Sequence, residues 1–216
     1  MPTLLLLIRH GENDVMYRRL AARLPDIHLN QRGREQAAAL AQALTHAPIE
    51  AIYSSPLERA VETAQPLADA RGLPVEIRSD LIEVNYGSWQ GKTYAQLRRT
   101  NLWKTVHSTP SQVRFPDGEA FPEIQNRVVN QLKLLVNGVN GDHEHVIAAV
   151  AHGDIIRLAL AHYLNIPLDD FQRLYISPAS LSLVRFSNSD RPQVLTVNQV
   201  AGYTWPQAPQ KGKKKT

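Results

Sequence analysis

The sequence predicts an α/β protein: a three-layer αβα sandwich with a mostly parallel central sheet. Short apolar runs alternate along the chain with segments of helical periodicity, the pattern of strands joined by crossover helices. Two of the runs, residues 3–8 and 146–151, are almost purely apolar, as strands buried on both faces are. With 216 residues and no evident linker or repeat, we expect a single domain over residues 1–204 and a tail over residues 205–216.

The N-terminal half is predicted to run strand, helix, strand, helix, strand. Residues 3–8 form the first strand, and Asn30 caps a helix with apolar residues at helical spacing. Residues 51–55 form the second strand. Ser55-Pro56-Leu57-Glu58 has the pattern of a capping box with proline at the first helical position, and it opens a helix that ends near Gly72. Residues 74–78 form the third strand.

The C-terminal half begins with the loop LIEVNYGSWQG and a predicted helix over residues 94–103. Residues 105–119 contain two prolines and a glycine and are expected to be irregular. The remaining predicted elements are a helix over 121–137, a strand over 146–151, a helix to about 163, and strands over 181–186 and 194–200.

Composition excludes several function classes. The formal net charge is +4, and four lysines lie in the last six residues; the remainder is therefore neutral, which argues against a nucleic-acid-binding face. We expect the basic tail to be disordered, the alternative being contact with an anionic surface. The absence of cysteine excludes disulfides, thiolate metal sites and a cysteine nucleophile.

The N-terminal run lacks the basic segment of a signal peptide, and Arg9 interrupts it too early for a membrane span. We therefore expect a cytoplasmic protein without a membrane or nucleic-acid partner. A homodimer is compatible with the sequence.

Two predicted strands end in the same way. Each strand is followed by histidine, glycine and an acidic residue, in the segments LLLLIRHGE and VIAAVAHGD. Parallel strands place their carboxyl ends on one edge of the sheet, where ligands bind. His10 and His152 should therefore meet. One histidine at a strand end is more often structural, but two in matching positions favour a functional site. The glycine after each is expected to allow close approach of a ligand.

The same edge offers cations. Arg9 follows the first strand, and Arg59 lies in the first turn of the helix after the second strand. Two guanidinium groups and a helix N-terminus suit a phosphate. Taken alone, Arg59 could instead pair with Glu58 or Glu62.

Four blocks in order carry a resemblance to a known family: RHGE from Arg9, SSPLERAVETA from Ser54, the glutamate before YGSWQG, and AHGD from Ala151. They resemble the histidine phosphatase superfamily, the phosphoglycerate mutase-like group. HLNQRGREQA from His28 also matches the helix-opening segment common in that family.

The resemblance implies roles for these residues. His10 would be the nucleophile that takes the phosphoryl group, and Glu83 the proton donor to the leaving group. Arg9, Arg59 and His152 would surround the phosphoryl oxygens. Neither a metal nor another cofactor is implied. His143 and His145 precede a strand at the opposite edge; we expect them to be exposed and not to be metal ligands.

The chain departs from the family pattern at two positions. Many members carry Thr or Ser, then Asn, where this chain has Asn13 and Met16. Asn13 can still donate a hydrogen bond to phosphate, but Met16 cannot. Either Asn13 or Arg23 compensates in a rearranged site, or the pocket favours a different substrate.

The implied function is hydrolysis of a small phosphomonoester through a phosphohistidine. Mutases resembling this fold carry a longer insertion between the proton donor and the second histidine, which helps to exclude water. Here that interval is short, which favours a phosphatase; a phosphoglycerate mutase is the alternative. A non-catalytic phospholigand-binding module is disfavoured because His10 and Glu83 are both present.

Overall fold

The computed structural model describes residues 2–139, 141–187 and 191–200. Its sheet has six strands in the order β3-β2-β4-β1-β5-β6. Their bounds are β1 Thr3–Arg9, β2 Ala51–Ser54, β3 Val75–Ile77, β4 His145–Ala151, β5 Leu181–Phe186 and β6 Gln193–Gln199. The strands β3, β2, β4 and β1 pair in parallel, whereas β5 is antiparallel to β1 and β6 to β5. The predicted mostly parallel sheet is confirmed.

The helices are α1 Gln31–Ala43, α2 Glu58–Asp69, α3 Tyr94–Leu97, α4 Asn101–Ser108, α5 Phe121–Asn137 and α6 Gly153–Tyr163. Helices α1 and α2 pack together, as do α5 and α6. Apolar side chains on the two faces of the sheet belong to separate cores. Leu4, Leu6 and Ile8 lie in the α1–α2 core, whereas Leu5 and Leu7 lie in the α5–α6 core. This alternation produces the three-layer sandwich.

The predicted cap of α1 is confirmed, because the Asn30 side chain accepts a hydrogen bond of 2.8 Å from the Gly33 N–H. The predicted capping box of α2 is wrong. That helix begins at Glu58 with Leu57 as its N-cap and has no side-chain cap. The Ser55 hydroxyl accepts from the Leu57 N–H over 3.3 Å and lies 2.7 Å from His152 Nε2, so it contacts a distant side chain rather than the N–H groups inside the helix.

The helix predicted over residues 94–103 is two short helices, α3 and α4. Thr100 interrupts the run: its side chain accepts from the Trp103 N–H and caps α4. Helix α4 then continues to Ser108, into the segment expected to be irregular. Threonine favours caps over helix interiors because its hydroxyl competes for backbone N–H groups.

One expectation about the histidines before β4 is also wrong. His143 is exposed, but His145 is the first residue of β4 and is buried, with 4% of its surface exposed. All seven residues of β4 are buried, so the buried strand begins one residue before the apolar run.

The expected tail, residues 205–216, lies outside the described residues, and the single-domain boundary at 204 stays a prediction. In the part of the chain that the structure describes, no helix is both long and apolar enough to cross a membrane.

Candidate active site

The two strand ends meet as the sheet order requires. Strands β1 and β4 are neighbours with Arg9 opposite Ala151, and the His10 N–H donates to the Ala151 carbonyl over 3.0 Å. The ring centroids of His10 and His152 are 5.2 Å apart. Both rings are buried. The prediction that these two histidines come together is confirmed as geometry.

The hydrogen bonds of His10 define its tautomer. Its Nδ1 lies 2.7 Å from the Gly11 carbonyl, which can only accept, so Nδ1 carries the proton. Its Nε2 lies 3.3 Å from Arg59 Nε, which can only donate. Burial, then the charges of Arg59 and Arg9, hold the pKa of His10 well below its usual value. The ring is therefore neutral, with the Nε2 lone pair facing the Arg59 guanidinium.

Arg59 turns inward rather than pairing with the acids on its own helix. It is buried, and its Nη2 donates to the Ala22 carbonyl over 2.7 Å. The Glu62 carboxylate is taken by His28 and by the Leu29 N–H. Arg59 Nη1 is buried with no hydrogen-bond partner among the described residues. A buried guanidinium with a spare N–H group is suited to an anionic oxygen.

Arg9 has the same property. Its Nη1 donates to the Ile176 carbonyl over 2.5 Å, and its Nη2 lies 3.7 Å from the Met16 sulfur. Within the described part of the chain, its Nε is buried and unpaired. Burial lowers the pKa of both arginines, yet arginine stays charged.

The structure shows what Asn13 and Met16 contact at the two positions where the chain departs from the family pattern. The Met16 sulfur contacts the Arg9 guanidinium, so Met16 packs against Arg9. Asn13 is buried, and its Oδ1 accepts from the N–H groups of Val15 and Met16, which leaves its Nδ2 as the available donor. Arg23 does not compensate, because its Nε donates to the Glu83 carbonyl and its Nη2 pairs with Glu119 at 2.8 Å.

Glu83 lies in the loop after β3, with its side chain partly buried. Its Oε1 accepts from the Val84 N–H over 2.9 Å. Burial and, next, the negative charge of Asp154 raise the pKa of Glu83 to about 7. The neighbouring Arg59 and Arg9 oppose that shift less strongly. A carboxyl group that is about half protonated near neutral pH can serve as acid and then as base.

Glu119 holds this loop in place, a role that sequence reasoning missed. Its carboxylate accepts from Arg23 Nη2 at 2.8 Å, Arg127 Nε at 3.1 Å and the Asn85 N–H at 2.8 Å. The backbone of Gly87, at φ +51°, lies so close to residues 116–118 that a Cβ there would be 1.9 Å from the Pro116 carbonyl. The irregular segment therefore forms a support for the Glu83 loop.

Ser55 was also missed as a site residue. Arg59 Nη2 lies 3.3 Å from His152 Nδ1 and can only donate, so Nδ1 accepts and Nε2–H donates to the Ser55 hydroxyl. Burial, then Arg59, hold the pKa of His152 well below its usual value. Ser55 lies in the block SSPLERAVETA, so its position there was the available signal.

Gly11 has a packing role in addition to the one expected of it. A Cβ on Gly11 would lie 2.7 Å from the Gly33 carbonyl, so this glycine permits close packing of the first loop on α1. At Gly153 the nearest atom is Arg9 Nε at 3.3 Å. There the missing side chain leaves room for the Arg9 guanidinium.

A cavity of about 380 Å³ adjoins Asp154 and the Glu83 loop. Its lining includes Trp89, Tyr94, Trp103 and Arg157, with the two indoles stacked at 6.2 Å. The Asp154 carboxylate accepts from Tyr86 and, at 2.9 Å, from Arg157. The volume is that of a small-molecule site.

Comparison with known proteins agrees with this geometry. The sequence model of the histidine phosphatase superfamily (branch 1) matches residues 5–200. A bifunctional protein of Mycobacterium tuberculosis is 33% identical over 205 residues, which are 94% of this chain and 55% of that protein. Phosphoserine phosphatase 1 of Hydrogenobacter thermophilus is 29% identical over 197 residues, 90% of this chain and 91% of that protein.

A 2,3-bisphosphoglycerate-dependent phosphoglycerate mutase of Thermoplasma acidophilum is 29% identical over 180 residues, 83% of this chain and 85% of that protein. Among solved structures, a mycobacterial glucosyl-3-phosphoglycerate phosphatase superposes with a TM-score of 0.81 at 26% identity, covering 92% of this chain and all of that one.

The family model matches nearly the whole described chain, and the sheet carries two histidines and two arginines at one edge. These findings define the protein family. The chain belongs to the histidine phosphatase superfamily, as its four sequence blocks predicted. It spans about half the length of the bifunctional relative.

Proposed function

We propose that the chain is a phosphomonoester hydrolase that works through a phosphohistidine on His10. One observation carries this proposal: the proton-free Nε2 of His10 accepts from the buried Arg59, and both Arg59 and the partly buried Arg9 have a buried N–H group that is unpaired among the described residues. A nucleophile and positive donors directed at one position are what phosphoryl transfer requires.

In the first step, His10 Nε2 attacks phosphorus and the bond from phosphorus to the ester oxygen breaks. Glu83 gives its proton to the departing oxygen, which leaves as an alcohol. Arg9 and Arg59 stabilise the charge on the transferring oxygens, with Asn13 Nδ2 and His152 as further donors.

His152 can donate to phosphate only if its Nδ1 carries a proton. The Ser55 hydroxyl makes this possible without adding charge, because a hydroxyl can accept from Nε2–H or donate to a bare Nε2. We infer that substrate is bound by the tautomer with the proton on Nδ1, in which the Ser55 hydroxyl donates to the bare Nε2.

In the second step, water attacks the phosphohistidine. The Glu83 carboxylate takes the proton of that water, inorganic phosphate leaves, and His10 and protonated Glu83 are restored. A carboxyl pKa of about 7 suits both directions of proton transfer near neutral pH.

The expected substrate is a small phosphorylated metabolite. The cavity beside Asp154 would hold the leaving group, and its stacked indoles favour leaving groups with an apolar or planar face. Relatives named for phosphoserine and glucosyl-3-phosphoglycerate support a small phosphoester.

The test is a screen of many phosphomonoesters with wild type, His10→Ala and the exposed-site control His46→Ala. We expect inorganic phosphate release with wild type and His46→Ala in the presence of EDTA, and none with His10→Ala. Undiminished activity in His10→Ala would refute the mechanism.

The mutase alternative has support in the archaeal mutase relative. Purified protein given 3-phosphoglycerate and a trace of 2,3-bisphosphoglycerate separates the two functions. Little conversion to 2-phosphoglycerate is expected, because the short cover leaves water access to the phosphohistidine. Rapid isomerisation with negligible phosphate release would favour the mutase. Phosphate binding without either activity would favour a non-catalytic binding module.

A further inference from the structure

Three potential metal ligands meet at the opposite edge of the sheet from His10. Glu50 directly precedes β2, His145 opens β4, and His143 lies two residues earlier. The two strands pair in parallel, so their starts are adjacent. The Glu50 N–H donates to the Val146 carbonyl over 2.9 Å, which anchors the first ligand to the strand that carries the third.

The side chains converge closely. One Glu50 oxygen lies 2.7 Å from His143 Nε2, and the other lies 2.8 Å from His145 Nδ1. One potential ligand atom from each residue can be chosen so that all three lie within 4.8 Å of one another.

The cluster has a protein side and a solvent side. The His145 side chain is 5% exposed, whereas those of His143 and Glu50 are 63% and 36% exposed. The nitrogen of His145 that faces Glu50 is Nδ1, so Nδ1 is the atom placed to bind a metal beside Glu50 and His143.

We propose that Glu50, His143 and His145 form a zinc site, with water at the position that faces solvent. Two imidazoles and one carboxylate are a ligand set for zinc and not for magnesium or calcium, which prefer oxygen alone. Bonds of about 2.1 Å to a tetrahedral ion place ligand atoms about 3.4 Å apart. The two imidazoles contact different oxygens of Glu50, at 2.7 and 2.8 Å, and one atom per residue can be chosen with all three within 4.8 Å. Small side-chain rotations would bring three ligand atoms to the tetrahedral spacing.

The zinc site would have a structural rather than a catalytic role. It lies where the strands start, whereas His10 and His152 lie at the opposite edge, where the strands end. Zinc there would tie the start of β2 to the connection before β4. The proposal does not rest on the phosphatase function: EDTA should remove the zinc and leave phosphoester hydrolysis in place.

The experiment uses the full, untagged chain, stripped with EDTA and dialysed at pH 7.5. Titration with zinc chloride by calorimetry, and elemental analysis after gel filtration, should give one Zn²⁺ per chain, with an upward shift of the thermal midpoint. Cobalt(II) in place of zinc should show the visible absorption of a four-coordinate ion.

Glu50→Gln and His143→Ala should each weaken zinc binding at least tenfold. Both positions are exposed, so both variants should fold, which circular dichroism checks. His46→Ala, an exposed histidine outside the cluster, should bind as wild type does. The absence of stoichiometric binding in wild type, or equal affinity in wild type and both cluster variants, would overturn the proposal.

Discussion

Replacing Glu83 by glutamine keeps the size of the side chain and its ability to accept from the Val84 N–H, but removes the transferable proton. General acids contribute about 10²–10⁴-fold to rate, so we expect a loss of that size in kcat/KM for an alkyl phosphate. The loss should be much smaller for p-nitrophenyl phosphate, whose leaving group needs little protonation.

The raised pKa of Glu83 makes the rate of hydrolysis depend on pH. With a pKa of about 7, the protonated fraction of Glu83 falls about tenfold for each pH unit well above 7. Wild-type kcat/KM for the alkyl phosphate should fall accordingly on the alkaline side. His10 contributes no acid limb in this range, because its lowered pKa keeps it neutral.

The raised pKa of Glu83 suits catalysis but lowers the stability of the folded protein at high pH. A carboxyl whose folded pKa is raised above its ordinary 4.5 destabilises the fold once pH exceeds the unfolded value, and fully so above the folded value of about 7. Discounted for partial exposure, the cost is about 1–3 kcal/mol at pH 8. Glu83→Gln should therefore raise the free energy of unfolding at pH 8 and change it little at pH 4.5.

The assay combines pH–rate profiles on both substrates with urea unfolding at pH 4.5 and 8. Glu35→Gln, an exposed substitution on α1, serves as the matched control and should change neither property. Equal rate losses on both substrates would refute the acid role. No stabilisation at pH 8 would refute the assigned pKa.

Brief incubation with substrate, quenched for phosphate analysis, should leave acid-labile, base-stable phosphate on wild type and none on His10→Ala; label on any other residue contradicts the nucleophile assignment. Arg59→Lys should lower kcat/KM at least about 100-fold, because an ammonium cannot replace the fork that contacts Ala22, His152 and the phosphate position, and an unchanged value would refute the role. Glu119→Gln should lower both the thermal midpoint and kcat, since it removes the charge shared by two arginines; unchanged kinetics would mean that the Glu83 loop needs no such support.

The sequence alone predicted which residues come together at this site. The uninterrupted apolar runs before His10 and His152 predict buried parallel strands, and parallel strands bring their carboxyl ends together. That physical rule needs only the order of the elements. Arg59 followed from the same argument, because the first turn after a parallel strand lies on the same edge.

Only the tertiary structure decided the protonation and the support of these groups. The His10 tautomer depends on a carbonyl and a guanidinium oriented within 3.3 Å, and the pKa of Glu83 depends on burial beside Asp154. The network on Glu119 joins residues 96 positions apart in the chain, from Arg23 onward. Such contacts depend on how loops pack, and no local pattern encodes that packing.

Local signals failed where a distant partner competed with them. Ser55 has the sequence signature of a helix cap, yet its hydroxyl binds His152. His145 follows a polar loop, which predicts exposure, yet it pairs with Thr3 of β1 in the sheet and its side chain is buried beside Glu50. The sequence determined which residues stand at each edge of the sheet, because strand direction follows from connectivity. The fold decided which atoms face one another there, because hydrogen-bond partners are chosen by distances of a few tenths of an ångström that only the packed structure defines.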